Sequence, residues 1–261
     1  MTMVEGLEAG ILLPAFAAGL LVLATHVPLG TEVLRRGIIF IDLAIAQIAG
    51  LGIVAAHMFL DMEAHGWQAQ AAAVAAALAG ALLLHWREKR NPERQEAVIG
   101  VAFVAAACAA ILIMAKDPHA GEHLKDLLVG QILWTTWADL IPLGLVTAAV
   151  LAAWFGLKLK DSPLGFYLLF AVAITASVQV VGVYLVFASL IVPALAVAAF
   201  PRGRLPLSYG LGAAGYALGL LASALFDLPS GAAIVLALVL CAVAAAGCAG
   251  KGPGKAPLTH I

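Results

Sequence analysis

LGFYLLFAVAITASVQVVGVYLVFASLIVPALAVAAF, residues 164–200, decides how the chain is read. It is one apolar run, broken only by Gln179 and Gly182. A helix crosses a bilayer in roughly 20 apolar residues, so this run is nearly twice one crossing and has to turn back on itself. Glycine accepts backbone conformations closed to other residues, which places the turn at Gly182 and a span on either side of it, 164–180 and 182–200.

The rest of the chain repeats the pattern. Apolar runs at 7–27, 37–60, 67–86, 98–115, 136–157, 206–226 and 231–249 bring the predicted spans to nine. Of the 261 residues, 64% are hydrophobic and 11% charged, with a mean hydropathy of +1.05. A soluble domain carries about a quarter charged residues. The fold class predicted is all-α: a polytopic helical membrane protein with one transmembrane domain over 1–250. The Gly- and Pro-rich tail at 251–261 is expected to be disordered.

The basic residues test the count of spans. Arg35 and Arg36 follow the first span and Arg87, Lys89, Arg90 and Arg94 the third. Lys158 and Lys160 follow the fifth, Arg202 and Arg204 the seventh, and Lys251 and Lys255 the ninth. Twelve of the 14 Lys and Arg thus fall on one side, leaving Lys116 and Lys125 on the other. Basic loops stay cytoplasmic, so the N-terminus is predicted outside and the C-terminus inside. The start MTMVEGLEAG has no basic residue, so no cleaved secretion signal is expected. Cys108, Cys241 and Cys248 lie in apolar runs without metal-ligand spacing and are expected to be buried as small hydrophobes.

The predicted outer loops DMEAHG (61–66), KDPHAGEHLKD (116–126) and FDLPSG (226–231) are rich in carboxylates and imidazoles, a composition suited to cation capture as well as to any solvated loop. His119, Glu122, His123 and Asp126 stand at helical spacing, on one face if the segment is helical, and form the strongest candidate capture cluster. Pro118 and Gly121 argue against a full helix there.

Within the spans, Asp42 and Gln47 are the polar residues of GIIFIDLAIAQIAGLG (37–52). An ionisable residue in a span is a functional candidate by default. Asp42 lies within ~8 Å of the cytoplasmic end of its helix; it is either a metal site or a partner of Arg35 or Arg36 or a helix cap. Gln47 is either a second polar station or an interhelical hydrogen bond. Gln179 is expected to satisfy backbone groups freed at Gly182. His26 and His85 are expected to snorkel or cap at span ends, and the five tryptophans to mark an interfacial belt.

No soluble domain and no GxxxxGK[ST] motif is present, so a transporter of this build uses a gradient or a separate ATPase. Four segments resemble the membrane permeases of zinc- and manganese-type ABC importers: LRRGIIFIDLAIAQIAGLG (34–52), QEAVIGV (95–101), HLKDLLVGQILWTTWADL (123–140) and SVQVVGVYLVFASLIVPALA (177–196). The resemblance implies a type II importer permease working as a dimer, an ATPase pair on the cytoplasmic face and an extracytoplasmic metal-binding protein. It implies a divalent metal ion as transported substrate, with no permanently bound cofactor, no enzymatic activity in the chain and no nucleic acid partner. The setting it implies is the bacterial inner membrane.

Two departures stand out. The family carries a Ser-His pair in the second span; alignment on the Arg pair places Asp42 on the family Asp and Ala46 on the His, and alignment on the downstream Gly places Gln47 there. Oxygen donors suit Mn²⁺ better than Zn²⁺. The family also carries a cytoplasmic docking helix after the fifth span, but LKLKDSPLG (157–165) is too short for one. Either the ATPase contact lies elsewhere, with REKRNPERQEA (87–97) the candidate through Arg87, Arg90 and Arg94, or coupling differs from the family. The rival readings are a gradient-driven metal carrier without an ATPase and a non-transporting scaffold.

Overall fold

The computed structural model describes residues 4–60, 66–90, 92–114, 130, 132–157, 159–198, 200 and 203–249. Its long helices are α1 (Val4–Arg36), α2 (Ile41–Leu60), α3 (Trp67–Arg90), α4 (Gln95–Ile113), α5 (Leu140–Leu151), α6 (Pro163–Val181), α7 (Val183–Ala196), α8 (Arg204–Phe226) and α9 (Ser230–Ala249). There is no strand among the described residues. Six of the nine are long and apolar enough to cross a membrane, and α5, α7 and α9 are shorter apolar helices. The chain is a multi-pass helical membrane protein.

The predicted break at Gly182 is present. Its φ of 79° is open to glycine at little cost. Its N–H donates to Val178 O at 2.8 Å, and its carbonyl accepts from Val186 N–H at 3.1 Å, so α6 stops and α7 starts around a single residue. Gln179 is therefore not needed to satisfy this turn. Gly130, also at positive φ, comes so close that a Cβ there would collide with the backbone of Val181 and Gly182.

Three boundaries differ from the sequence expectation. The first helix does not stop at 27; it runs through Pro28 to Arg36 and ends at Gly37, whose φ is 67°. A proline inside a helix leaves the carbonyl four residues earlier without its partner. Here that carbonyl, Ala24 O, accepts from Tyr209 Oη at 3.0 Å, so α8 supplies the bond that Pro28 removes. The basic segment after α3 is largely helical, since α3 continues to Arg90 and a 3-10 turn at Pro92–Arg94 leads into α4. Beyond Leu151, α5 widens into a π turn, Ala152–Gly156, and then a single 3-10 turn at Leu159–Asp161 leads to Ser162, which caps α6 by accepting from Gly165 N–H at 3.3 Å.

Helix α2 packs on α3 and α4; α1 packs on α5, α7 and α8; α9 closes against α7 and α8. Helix α6 touches α1, α2, α3, α5 and α7 and joins the two groups. Its Phe166, Tyr167, Phe170 and Ile174 are fully buried in the common core. Small residues let the helices approach closely: a Cβ at Gly30 would strike Leu190 O, and one at Gly219 would strike the Ile234 backbone. Outward-facing side chains such as Val101, Leu112, Leu145 and Leu240 are apolar, as a lipid-facing surface needs. Cys108 is among the exposed residues of α4 rather than buried. Four of the tryptophans are exposed, but Trp154 is buried against Phe166, with ring centroids 6.4 Å apart, and belongs to the core.

Candidate functional site

Asp42 sits in the first turn of α2 and is 1% exposed. Neither of its carboxylate oxygens accepts a well-formed hydrogen bond from a described residue, and only the backbone N–H groups of Asp42 and Leu43 at the helix start lie close to them. The Arg pair does not neutralise it. Arg35 forks onto Glu32, with Nε to Oε2 at 2.7 Å and Nη2 to Oε1 at 2.5 Å, and Arg36 Nε reaches the same Oε1 at 2.7 Å. Arg36 also lies over the Phe166 ring, 4.3 Å from its centroid. The ion pair expected as one reading of Asp42 is thus made by Glu32, because Glu32 shares the helix with both arginines at three- and four-residue spacing.

The group beside Asp42 is a second carboxylate. Glu96, in the first turn of α4, accepts from Phe40 N–H through Oε1 at 3.2 Å, and its Oε2 is buried with no partner. Two acids therefore share the start of α2, where free N–H groups and the helix dipole favour negative charge. Three carboxylate oxygens in this place remain unpaired. Buried acceptors without donors are costly, a cost that a bound cation or a proton would relieve. Glu96 was not among the candidates from sequence; the signal was QEAVIGV, an acidic residue at the very start of a predicted span.

A neutral hydrogen-bonded cluster stands next to it. Gln95 donates to Leu84 O at 2.9 Å and to Tyr167 Oη at 3.1 Å, joining α4 to α3 and α6. The His85 ring lies against Tyr167, centroids 5.4 Å apart. His85 is thus a buried core residue rather than a snorkelling one. His26 is also fully buried, with Nδ1 2.9 Å from Val22 O, because α1 continues for ten residues past it.

Gln47 does not join Asp42. Five residues on, it points about 140° away around α2. It is half-buried on the wall of a cavity of about 960 Å³ between α2, α4, α7 and α9, lined chiefly by apolar groups such as Leu43, Phe103, Phe187 and Leu236. No hydrogen bond reaches it from a described residue, so the expected interhelical bond is not found among them. Ala46 is buried and offers no ligand. Among the described residues no group of three or more His, Cys, Asp or Glu could hold a metal ion. His119, Glu122, His123 and Asp126 lie outside the described residues.

Of the basic residues, Arg87 is half-buried and Arg90 and Arg94 are exposed, at the same end of the bundle as Asp42 and Glu96. The Arg90 guanidinium lies 3.9 Å above the Trp86 ring centroid. The described residues between α5 and α6 form the π turn and the single 3-10 turn, and no docking helix is found among them.

Comparison with known proteins places this arrangement in context. The profile of the ABC 3 transport family matches residues 8–249. The chain is 26% identical over 231 residues to the manganese transport system membrane protein MntC of Halalkalibacterium halodurans, covering 80% of this chain and 77% of that protein. It is similar in fold to PsaBC of Streptococcus pneumoniae, solved in complex with a Fab, with a TM-score of 0.67, 22% identity and coverage of 92% and 91% of the two chains. It also resembles an inward-facing transporter described as of the metal-chelate ABC type, with a TM-score of 0.61, 16% identity and coverage of 91% and 85%.

Proposed function

The chain belongs to the ABC 3 transport family, whose members are membrane permease subunits and not themselves catalytic, and on that premise we propose that it is the permease of an ATP-driven importer of divalent metal ions. The cargo is Zn²⁺, Mn²⁺ or Fe²⁺. A separate ATPase hydrolyses the nucleotide, an extracytoplasmic binding protein delivers the metal, and a second copy of the chain completes the pathway. The setting is the bacterial inner membrane, with the N-terminus outside and the C-terminus in the cytoplasm.

The observation that carries this reading is Asp42, a buried carboxylate with no side-chain partner among the described residues, at the same helix start as Glu96. A carrier needs a site that is favourable enough to enter and weak enough to leave. Two carboxylates at a helix start, without a third strong ligand among the described residues, suit a transit station at the cytoplasmic end. Oxygen donors favour harder ions, which supports manganese over zinc, as does the manganese transport assigned to MntC. On the outer side, His119, Glu122, His123 and Asp126 are proposed to receive the ion, and Arg87, Arg90 and Arg94 to meet the ATPase.

Metal uptake in whole cells tests the reading. Asp42→Asn should lower Mn²⁺ uptake at least tenfold at unchanged protein level; unchanged uptake overturns it. Charge reversal at Arg87 and Arg90 should abolish co-purification with the ATPase, and intact co-purification removes that contact.

A further inference from the structure

At the end of the bundle opposite Asp42, where α3 and α5 begin and α6 ends, lies a second cavity of about 610 Å³. Gln70 on its wall and Arg90 at the other end of α3 are separated by about 30 Å of helix. In the proposed orientation the cavity faces outward. Its polar lining is oxygen-rich: the hydroxyls of Thr135 and Thr175, the carboxylate of Asp139 and the side-chain amides of Gln70 and Gln179. This gives Gln179, which the turn at Gly182 does not use, a place.

Thr175 is the informative residue. It is 1% exposed, it lines the cavity, and its Oγ1 has no hydrogen-bond partner. A hydroxyl on a helix ordinarily bonds back to a carbonyl of the preceding turn, as Ser189 Oγ does to Leu185 O at 2.7 Å. Thr175 leaves that bond unmade in a buried position, where an unsatisfied hydroxyl is costly. Asp139, exposed at the start of α5, lines the same cavity. Its Oδ2 accepts from Thr136 Oγ1 at 2.7 Å and Thr136 N–H at 2.9 Å, which fixes the carboxylate in one orientation. Those bonds also hold its carboxyl below the usual carboxylate range, so the group is charged at neutral pH. One fixed negative charge among neutral oxygens repels anions and accepts a cation that keeps part of its water shell.

We propose that this cavity is an entry site for a partly hydrated divalent cation of the hard, oxygen-preferring class, held by Asp139 with Thr135, Thr175, Gln70 and Gln179. With no imidazole or thiolate on its wall among the described residues, it favours Mn²⁺ over Zn²⁺. The proposal deepens the permease reading by giving the cargo an outer station distinct from the Asp42–Glu96 pair.

The test is Mn²⁺ titration of the purified full-length permease in nanodiscs, with free Mn²⁺ followed by electron paramagnetic resonance, in the Asp42→Asn/Glu96→Gln background. One Mn²⁺ per chain should still bind. Asp139→Asn should weaken that binding at least tenfold, Thr175→Val should weaken it severalfold, and Thr175→Ser should restore it. Zn²⁺ should compete at least tenfold less well than Mn²⁺. No Mn²⁺ binding in this background, binding untouched by Asp139→Asn, or equal competition by Zn²⁺ overturns the proposal. The permease reading stands or falls separately, on uptake by the chain with Asp42 and Glu96 intact.

Discussion

The Phe40 N–H donates to the Glu96 carboxylate at 3.2 Å, so a residue at the start of α4 caps the start of α2. This contact gives Glu96 two separable roles, one as acceptor and one as charge. Glu96→Gln keeps an acceptor for Phe40 and removes the charge beside Asp42; Glu96→Ala removes both. The first should leave the thermal midpoint nearly unchanged and lower Mn²⁺ uptake about tenfold. The second should cost a further ~1 kcal/mol of stability, the usual worth of a lost cap. Paired unfolding and uptake measurements check this; equal stability loss in both variants removes the capping role.

Buried hydroxyls between α7 and α8 make an asymmetric prediction. Ser189 Oγ donates to Leu185 O and lies 2.8 Å from Tyr216 Oη, both residues being fully buried. Tyr216→Phe leaves Ser189 its backbone bond and should cost about 0.5–1.5 kcal/mol. Ser189→Ala leaves the Tyr216 hydroxyl buried without a partner and should cost about 1–3 kcal/mol. Thermal unfolding in detergent should rank the two in that order.

Gly30 and Gly10 lie on the same helix and should respond in opposite directions. A Cβ at Gly30 strikes the Leu190 carbonyl, whereas one at Gly10 meets nothing within 4 Å. Gly30→Ala forces α1 and α7 apart and should cost about 1–3 kcal/mol, as overpacking does. Gly10→Ala should be neutral or stabilise by up to about 1 kcal/mol, the helix cost of glycine. Yield of folded protein and its melting temperature report both.

Asp139 sets a pH expectation for the outward cavity. Hydrogen bonds from Thr136 depress its carboxyl pKa, so protonation, which removes the cation-binding charge, occurs only below the ordinary value of about 3.9. Mn²⁺ binding at that cavity should be flat from pH 7 down to pH 5. A loss centred near pH 6 would instead report a histidine.

Orientation is open to direct labelling. In a background without native cysteines, Gly203→Cys, before α8, should react with an impermeant thiol reagent only from the cytoplasmic side. Gly66→Cys, before α3, should react only from outside. The reverse pattern overturns the charge-based topology.

The nine apolar helices found among the described residues and the break at Gly182 were legible in the sequence. Each follows from local chemistry: a helix in lipid must satisfy its backbone within itself, so length and apolarity suffice to find it. The π turn after α5 left no such mark, and neither did the continuation of α1 through Pro28, which depends on Tyr209, a residue 185 positions away. The site divided in the same way. Asp42 was evident as a lone carboxylate in an apolar run, and its arginine neighbours looked like partners because they are close in sequence. Only the packing of α2 on α4 set Glu96 beside it, and only the meeting of α3, α5 and α6 put Thr175 and Asp139 on one cavity. The sequence determined which polar residues the bundle must bury; the tertiary structure decided which of them meet, because that depends on helix rotation and crossing, set by side chains far apart in the chain.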